Sequence, residues 1–336
     1  MADVVPEALR PHGEAPGGIG PGVVGPVKPT LRQRWFNRDT AAAYAFLAPT
    51  VIHFAIFFAG LVLLSLALSF TDYDLFNLPS WLSLHDWKAI WSGLDNYKEM
   101  LFHDPNFWPT FWRTALYVFL VVPTSIAAEL ALALAVNTKL RGIKFLRATY
   151  FIPVVASAVA VSLVWGWILN SQNGILNWVL SFFGIGEIGW LSNSKFAMPS
   201  VAMVQVWRGL GEGLIIFLAG LQAIPQHLYE AAELDGAGPW RKFWHVTWPL
   251  LTPTTFFVLV LEVIGSFQVF DIIYLLTHGG PGRATTVYNF RLYFEAFRNF
   301  HMGYAAAMTW VLFVVIGVLT LIQFRVLNRR VQYELG

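Results

Sequence analysis

Gln205, Arg208 and Glu212 interrupt an otherwise apolar stretch at i, i+3 and i+7, a spacing that sets all three on one helical face. At about 1.5 Å of rise per residue, Arg208 falls near the middle of that stretch. Arg208 and Glu212 stand four apart and can pair, which would neutralise both. Two uses stay open: an ion pair that fixes helix packing, or a polar stripe along a solute path. In the next long apolar stretch Glu262 and Ser266 share a face, while Gln268 and Asp271 project to roughly the opposite side at 100° per residue. Gln268 and Asp271 are expected nearer the outer, solute-facing part, with Phe267, Phe270 and Tyr274 beside them as aromatic walls. Glu129, near the inner end of another apolar run, is expected to cap or pair locally. Ionisable groups at such depth cost energy and are candidates for function. Histidines 53, 245 and 278 have no metal-ligand spacing, and no Ser/His/Asp arrangement stands out. The sequence therefore points to neither a metal site nor an enzyme site.

A second set of residues sits outside the apolar stretches. Ile224 to Thr254 reads IPQHLYEAAELDGAGPWRKFWHVTWPLLTPT. Pro225 to Leu234 predicts a short helix, with Leu228, Ala231, Ala232 and Leu234 as a small apolar face beside Glu230, Glu233 and Asp235. Gly236 stands where a helix stops and the backbone needs positive φ. Gly238 and Pro239 extend the turn, and an amphipathic stretch from Trp240 to Trp248 leads to Pro249. The small residues 231, 232, 236, 237 and 238 allow another protein surface to approach the backbone closely.

The elements that must position these groups are membrane spans. Of 336 residues 56% are hydrophobic and only 12% charged, too few charges to cover a water-facing surface. Fifteen Trp, 11 Tyr and 28 Phe suit membrane interfaces. A net charge of +2 offers no field for nucleic acid, and the absence of cysteine removes disulfides and thiolate metal sites. Six stretches reach the roughly 20 apolar residues needed to cross, near 43–70, 113–137, 145–170, 197–222, 249–276 and 304–327. Pro123, Pro153 and Pro253 are expected to kink spans without breaking them. Residues 1–38, rich in Pro and Gly, read as a disordered tail, followed by an uncleaved signal anchor; 39–330 read as the membrane domain and 331–336 as a short tail. With the N-terminus inside, fourteen of the 22 Lys and Arg fall on the cytoplasmic side and seven outside, so both termini are expected in the cytoplasm. The outer segment 71–112, with Trp81, Trp87, Trp91, Trp108 and Trp112, is expected to lie in the interface or to dock an external partner.

Here the residues carry a resemblance. Glu230-Ala231-Ala232, Gly236 and Pro249 resemble the EAA loop of permease subunits in bacterial ATP-binding-cassette importers, with Trp248 where leucine commonly precedes the proline. Thr277-His278-Gly279-Gly280-Pro281-Gly282, Thr285-Thr286-Val287-Tyr288, Ala296-Phe297 and Gly303-Tyr304-Ala305-Ala306-Ala307 are similar to the segment before the last span of carbohydrate permeases of the maltose and glycerol-3-phosphate type. The likeness is to the relatives of the larger maltose membrane subunit, without its large outer insertion.

The resemblance implies an all-α integral membrane protein of six spans with the type I importer permease fold, in a bacterial or archaeal inner membrane. It implies a second homologous permease subunit, a cytoplasmic ATPase dimer and an extracytoplasmic solute-binding protein as partners. Glu230, Ala231, Ala232, Asp235, Gly236 and Pro249 would seat in the ATPase. No Gly-Lys pair occurs, so no GxxxxGK phosphate loop is present, and ATP with its Mg²⁺ belongs to the partner chain. The solute would be a sugar or a polyol phosphate. The competing reading is a self-contained secondary transporter relaying ions through Arg208, Glu212 and Glu262; such carriers show repeated halves with broken helices, and no repeat is detected.

Overall fold

The computed structural model describes residues 38–74, 88, 90–138 and 142–327. The N-terminal tail up to residue 37, Trp81, Trp87, Lys139, Arg141, Arg329, Arg330 and the tail 331–336 lie outside the described residues. The chain divides into two units, 1–61 and 62–336.

Helix α1, Ala42–Leu68, is apolar all round, as a helix in lipid must be. It contains a π-helical turn at Ala55–Gly60. Helices α2, Phe107–Val136, and α6, Ser194–Ala223, have 30 residues each. At about 1.5 Å per residue they exceed the roughly 30 Å hydrocarbon core. They pack against each other along their length. Small residues let α6 approach its neighbours closely: a side chain at Gly213 would strike Glu129 of α2, one at Gly211 the Tyr150 backbone, and one at Gly220 Thr254. Tyr117, Val121, Val201, Val204, Ile272 and Ile273 form one buried apolar cluster. Leu130, Ala133, Leu214, Phe217, Leu221 and Leu251 form another.

The third span departs from expectation. Ile143–Val155, α3, and Ala158–Ile168, α4, meet at a 100° bend, where one continuous span over 145–170 was expected. Pro153 removes a helical donor in the turn before the bend, and Ala156 and Ser157 then adopt extended backbone, ψ 143° and 133°. Pro123 and Pro253, by contrast, lie inside unbroken helices. The segment that follows contains α5, Ile175–Ser181, held by Asn177, whose Nδ2 donates to the carbonyls of Ser171 and Ile188 at 2.8 and 2.9 Å.

After α6 come α7, Gln226–Leu234, and α8, Pro239–Phe267. The expected fifth span at 249–276 is displaced: the helix begins ten residues earlier and ends at Phe267. Asp271–Leu276, α9, is a separate short helix. Pro249 therefore lies within a helix. The π-helical turn Phe243–Thr247 just before it widens the coil where the proline ring would press on a preceding carbonyl. Tyr288–Phe297 is α10, and Met302–Leu327, α11, is the last span. Counting α3 and α4 as one broken span, six spans are present; the described residues contain isolated bridges but no strand.

Candidate coupling surface and intramembrane polar site

Helix α7 ends in a Schellman turn. The Gly236 N–H donates to the Glu233 carbonyl at 3.0 Å and the Ala237 N–H to the Ala232 carbonyl at 2.8 Å, with Gly236 at φ +74°. The glycine expected from spacing alone thus closes the helix. Leu228 and Tyr229 turn inward onto the second buried cluster, against which Phe243, Val246 and Trp248 also pack. The Tyr229 and Thr247 hydroxyls meet at 3.0 Å, and Lys242 pairs with Glu233 across the turn. These contacts leave Glu230, Ala231, Asp235 and Gly236 exposed, with Ala232 half-buried. The expected single apolar face is split: Leu228 anchors the helix, whereas Leu234 is 90% exposed and Trp240 72%. Leu234 at the end of α7 and Trp240 at the start of α8 thus leave large apolar side chains bare.

Within the membrane the polar residues separate into two groups. Arg208 does not pair with Glu212, as its spacing suggested. Its Nη1 lies 2.7 Å from Asp271 Oδ2, and Asp271 Oδ1 accepts from the Ile272 N–H at 2.9 Å. The end of α8 at Phe267 makes this possible, because Asp271 starts a new helix and is freed from the 100° projection of the old one. Gln268 falls in the break, its side chain exposed and its carbonyl accepting from Asn289 Nδ2 at 2.7 Å. It joins neither group. The second group lines a cavity of about 280 Å³ between α6 and α8: Gln205, Gly209, Glu212, Gly213, Glu262 and Ser266. Four of the expected polar residues therefore meet.

Glu129 was misplaced by the sequence reading. It is fully buried, and a side chain at Gly213 would fall on its carboxyl group. Its carboxyl faces that of Glu262, which also faces Ser125. Ionised, the two carboxyls would offer each other only acceptors, so one of them carries a proton and donates to the other. The signal available in sequence was a lone acid amid the apolar run TSIAAELALALAV; what it lacked was the facing glycine one long loop away.

The second motif also acquires a physical account. Gly279 has φ +79°, and a Cβ there would sit 2.6 Å from Phe290 Cε1. Thr285 and Thr286 hydroxyls donate to the Gly280 and Gly279 carbonyls at 2.7 and 3.0 Å. The Tyr288 N–H donates to Thr114 Oγ1 at 2.8 Å and its hydroxyl to the Met308 carbonyl at 2.9 Å, pinning α10 between α2 and α11. Arg291 pairs with Asp104 and, at 3.4 Å, with Glu295, while the Tyr304 hydroxyl donates to Asp104. Burial alone would push the Asp104 carboxyl up, but hydrogen bonds from Tyr304, the Asn106 N–H and Arg291, together with the Arg291 charge, hold it below its ordinary value.

Comparison with known proteins agrees with this architecture. Residues 111–333 match the family described as binding-protein-dependent transport system inner membrane component. The chain is 37% identical over 307 residues to the probable ABC transporter permease protein YesP of Bacillus subtilis (strain 168), covering 90% of this chain and 96% of the relative. It is 32% identical over 308 residues to the sn-glycerol-3-phosphate transport system permease protein UgpA of Shigella flexneri, covering 91% and 99%. In fold it resembles a chain from the crystal structure of a bacterial alginate ABC transporter in complex with an alginate pentasaccharide-bound periplasmic protein, with a TM-score of 0.75 at 24% identity, covering 89% and 97%. The chain belongs to the inner-membrane components of binding-protein-dependent transport systems: it is an ABC transporter permease, a transport subunit with the type I fold and not an enzyme.

Proposed function

We propose that this chain forms half of the translocation path of an ATP-driven importer for a sugar or polyol phosphate. A second, homologous permease supplies the other half, and a solute-binding protein delivers the solute from outside. Both termini face the cytoplasm, where α7 seats in one subunit of an ATPase dimer that alone holds ATP and Mg²⁺. Glu230, Ala231, Ala232, Asp235 and Gly236 form the seat, and Pro249 marks where the loop's second half enters the span. Gln205, Glu212, Glu262 and Ser266 line the path in this chain, while Arg208, Asp271 and Gln268 stand nearer its outer end.

The observation carrying the coupling role is the exposed, Schellman-capped α7, tied by Leu228, Tyr229 and the Lys242–Glu233 pair to the base of α8. A push on α7 then reaches α8 as a rigid-body displacement, since packed elements rearrange between discrete states. UgpA, a relative along nearly its whole length, supports the solute class by its described role in sn-glycerol-3-phosphate transport. Replacing Gly236 with valine forces a β-branched residue to φ +74°. The variant is expected to insert normally yet hydrolyse ATP without uptake. Normal uptake by Gly236→Val in proteoliposomes would remove α7 from the coupling path.

A further inference from the structure

Arg291 and Glu295 belong to the walls of two cavities of opposite charge. The first, of about 400 Å³, is built by the head of α2, the turn at Gly279 and Gly280, and α10; Arg113, His278, Arg283 and Arg291 line it. The second, of about 520 Å³, is lined by Asp72, Asp74, Glu99 and Asp104. The chain does not balance the charge of the first. Glu295, its one acid, is taken up by Arg291, Asn299 and His301. Arg283 donates to the neutral Asn106 Oδ1, and neither it nor Arg113 pairs with an acid among the described residues. Arg291 adds a guanidinium whose Nη1 is buried without a hydrogen-bond partner. What the cavity lacks is a negatively charged acceptor.

Asn106, Thr110 and Arg113 stand at i, i+4 and i+7, so one face of α2 supplies this wall. Trp108 and Trp112, 47% and 65% exposed, project from the opposite face. Indoles belong at the lipid interface, so the cavity is turned away from the bilayer, which argues against a phospholipid headgroup. A small free anion would fill the basic cavity and leave the acidic one beside it unanswered. A protein surface can answer both. Resting on the permease reading above, which puts the head of α2 on the side of the solute-binding protein, we infer that the two cavities are that protein's seat. One of its carboxylates enters between Arg113 and Arg283, and one of its cationic side chains meets Asp72 and Glu99. The polarity sets the register of docking, because a reversed approach brings acid against acid.

The test uses the whole transporter, with partner permease and ATPase, in nanodiscs of phosphatidylcholine with and without phosphatidylglycerol. ATP hydrolysis is followed against the concentration of its solute-loaded binding protein, at low and at high salt. At low salt Arg113→Glu and Arg283→Glu should each raise the half-saturating concentration about tenfold, with the rate at saturation near that of wild type. Asp72→Lys should act alike from the other cavity. High salt should bring variants and wild type together, because it screens exposed charges. Changing surface acids of the binding protein to lysine one at a time should find one that weakens docking alone and partly rescues Arg113→Glu. Half-saturation indifferent to both arginine variants overturns the inference. So does a rise that high salt leaves intact, the mark of a merely structural role. An effect seen only with phosphatidylglycerol gives the cavity to a lipid headgroup and overturns it as well. A wild-type complex whose ATP hydrolysis ignores the binding protein strikes the proposed function itself, and the inference falls with it.

Discussion

Arg208 has two acids it could answer: Glu212 one turn along its own helix, and Asp271 beyond the end of α8. It takes Asp271 at 2.7 Å. The alternative would have held both charges on α6; the pair observed ties α6 to the start of α9 and leaves Glu212 to the cavity. With 23% and 42% of the two side chains exposed, the pair lies between a surface bridge and a buried one. We expect a coupling of about 1–2 kcal/mol between Arg208→Ala and Asp271→Ala. A double-mutant cycle by thermal unfolding in detergent measures it, and the same cycle between Arg208→Ala and Glu212→Ala should give nothing. Glu129 shows the same dependence on a distant neighbour. Its sequence position announces a buried acid, but only Gly213, 84 residues on, lets the carboxyl lie flat against another helix.

At the scale of elements, α7 is held by few contacts and exposes what most helices bury. Leu228 and Tyr229 anchor it, and Gly236 stops it, so its outward side is free of duties to the fold. Leu234 makes the distinction measurable. At 90% exposed, it contributes little to stability, so Leu234→Ser should leave the melting temperature of the isolated chain within the shift expected for about 0.5 kcal/mol. Co-purification of the ATPase with the transporter should fall at least tenfold. Unchanged co-purification would place the ATPase contact elsewhere. The rest of the loop is not a loop at all. Pro239 starts the helix that becomes the fifth span, and the π turn at Phe243–Thr247 absorbs Pro249. The second half of the loop thus runs into the membrane as one helix, with no hinge between them.

For the molecule as a whole, Asp104, Arg291, Glu295 and Tyr304 form a lock that joins the start of α2 to α10 and α11. Asp104 and Arg291 expose only 9% and 11% of their side chains, so removing one strands the other. The pH dependence follows from the lowered Asp104 pKa. Its ionised form binds more tightly folded than unfolded, so this stabilisation is full above the ordinary value of 3.8 and is lost as pH falls through the lower folded value. Wild-type chain in detergent should therefore lose stability in strong acid more steeply than Asp104→Asn, which should be weaker by about 3 kcal/mol at neutral pH. Parallel acid profiles for the two would assign the lock to other groups.

Composition and periodicity by themselves determined that the chain lives in a bilayer, where most of its spans lie, the fifth excepted, and that Gly236 ends a short exposed helix. Those properties are local: an apolar run of sufficient length, or a glycine after a helical pattern, carries its consequence wherever the chain goes. The 100° bend between α3 and α4, the early end of α8, the choice of Asp271 over Glu212 and the meeting of Glu129 with Glu262 were decided only by tertiary structure. Each depends on what a distant helix presents at the same depth, and a projection along one helix has no term for that.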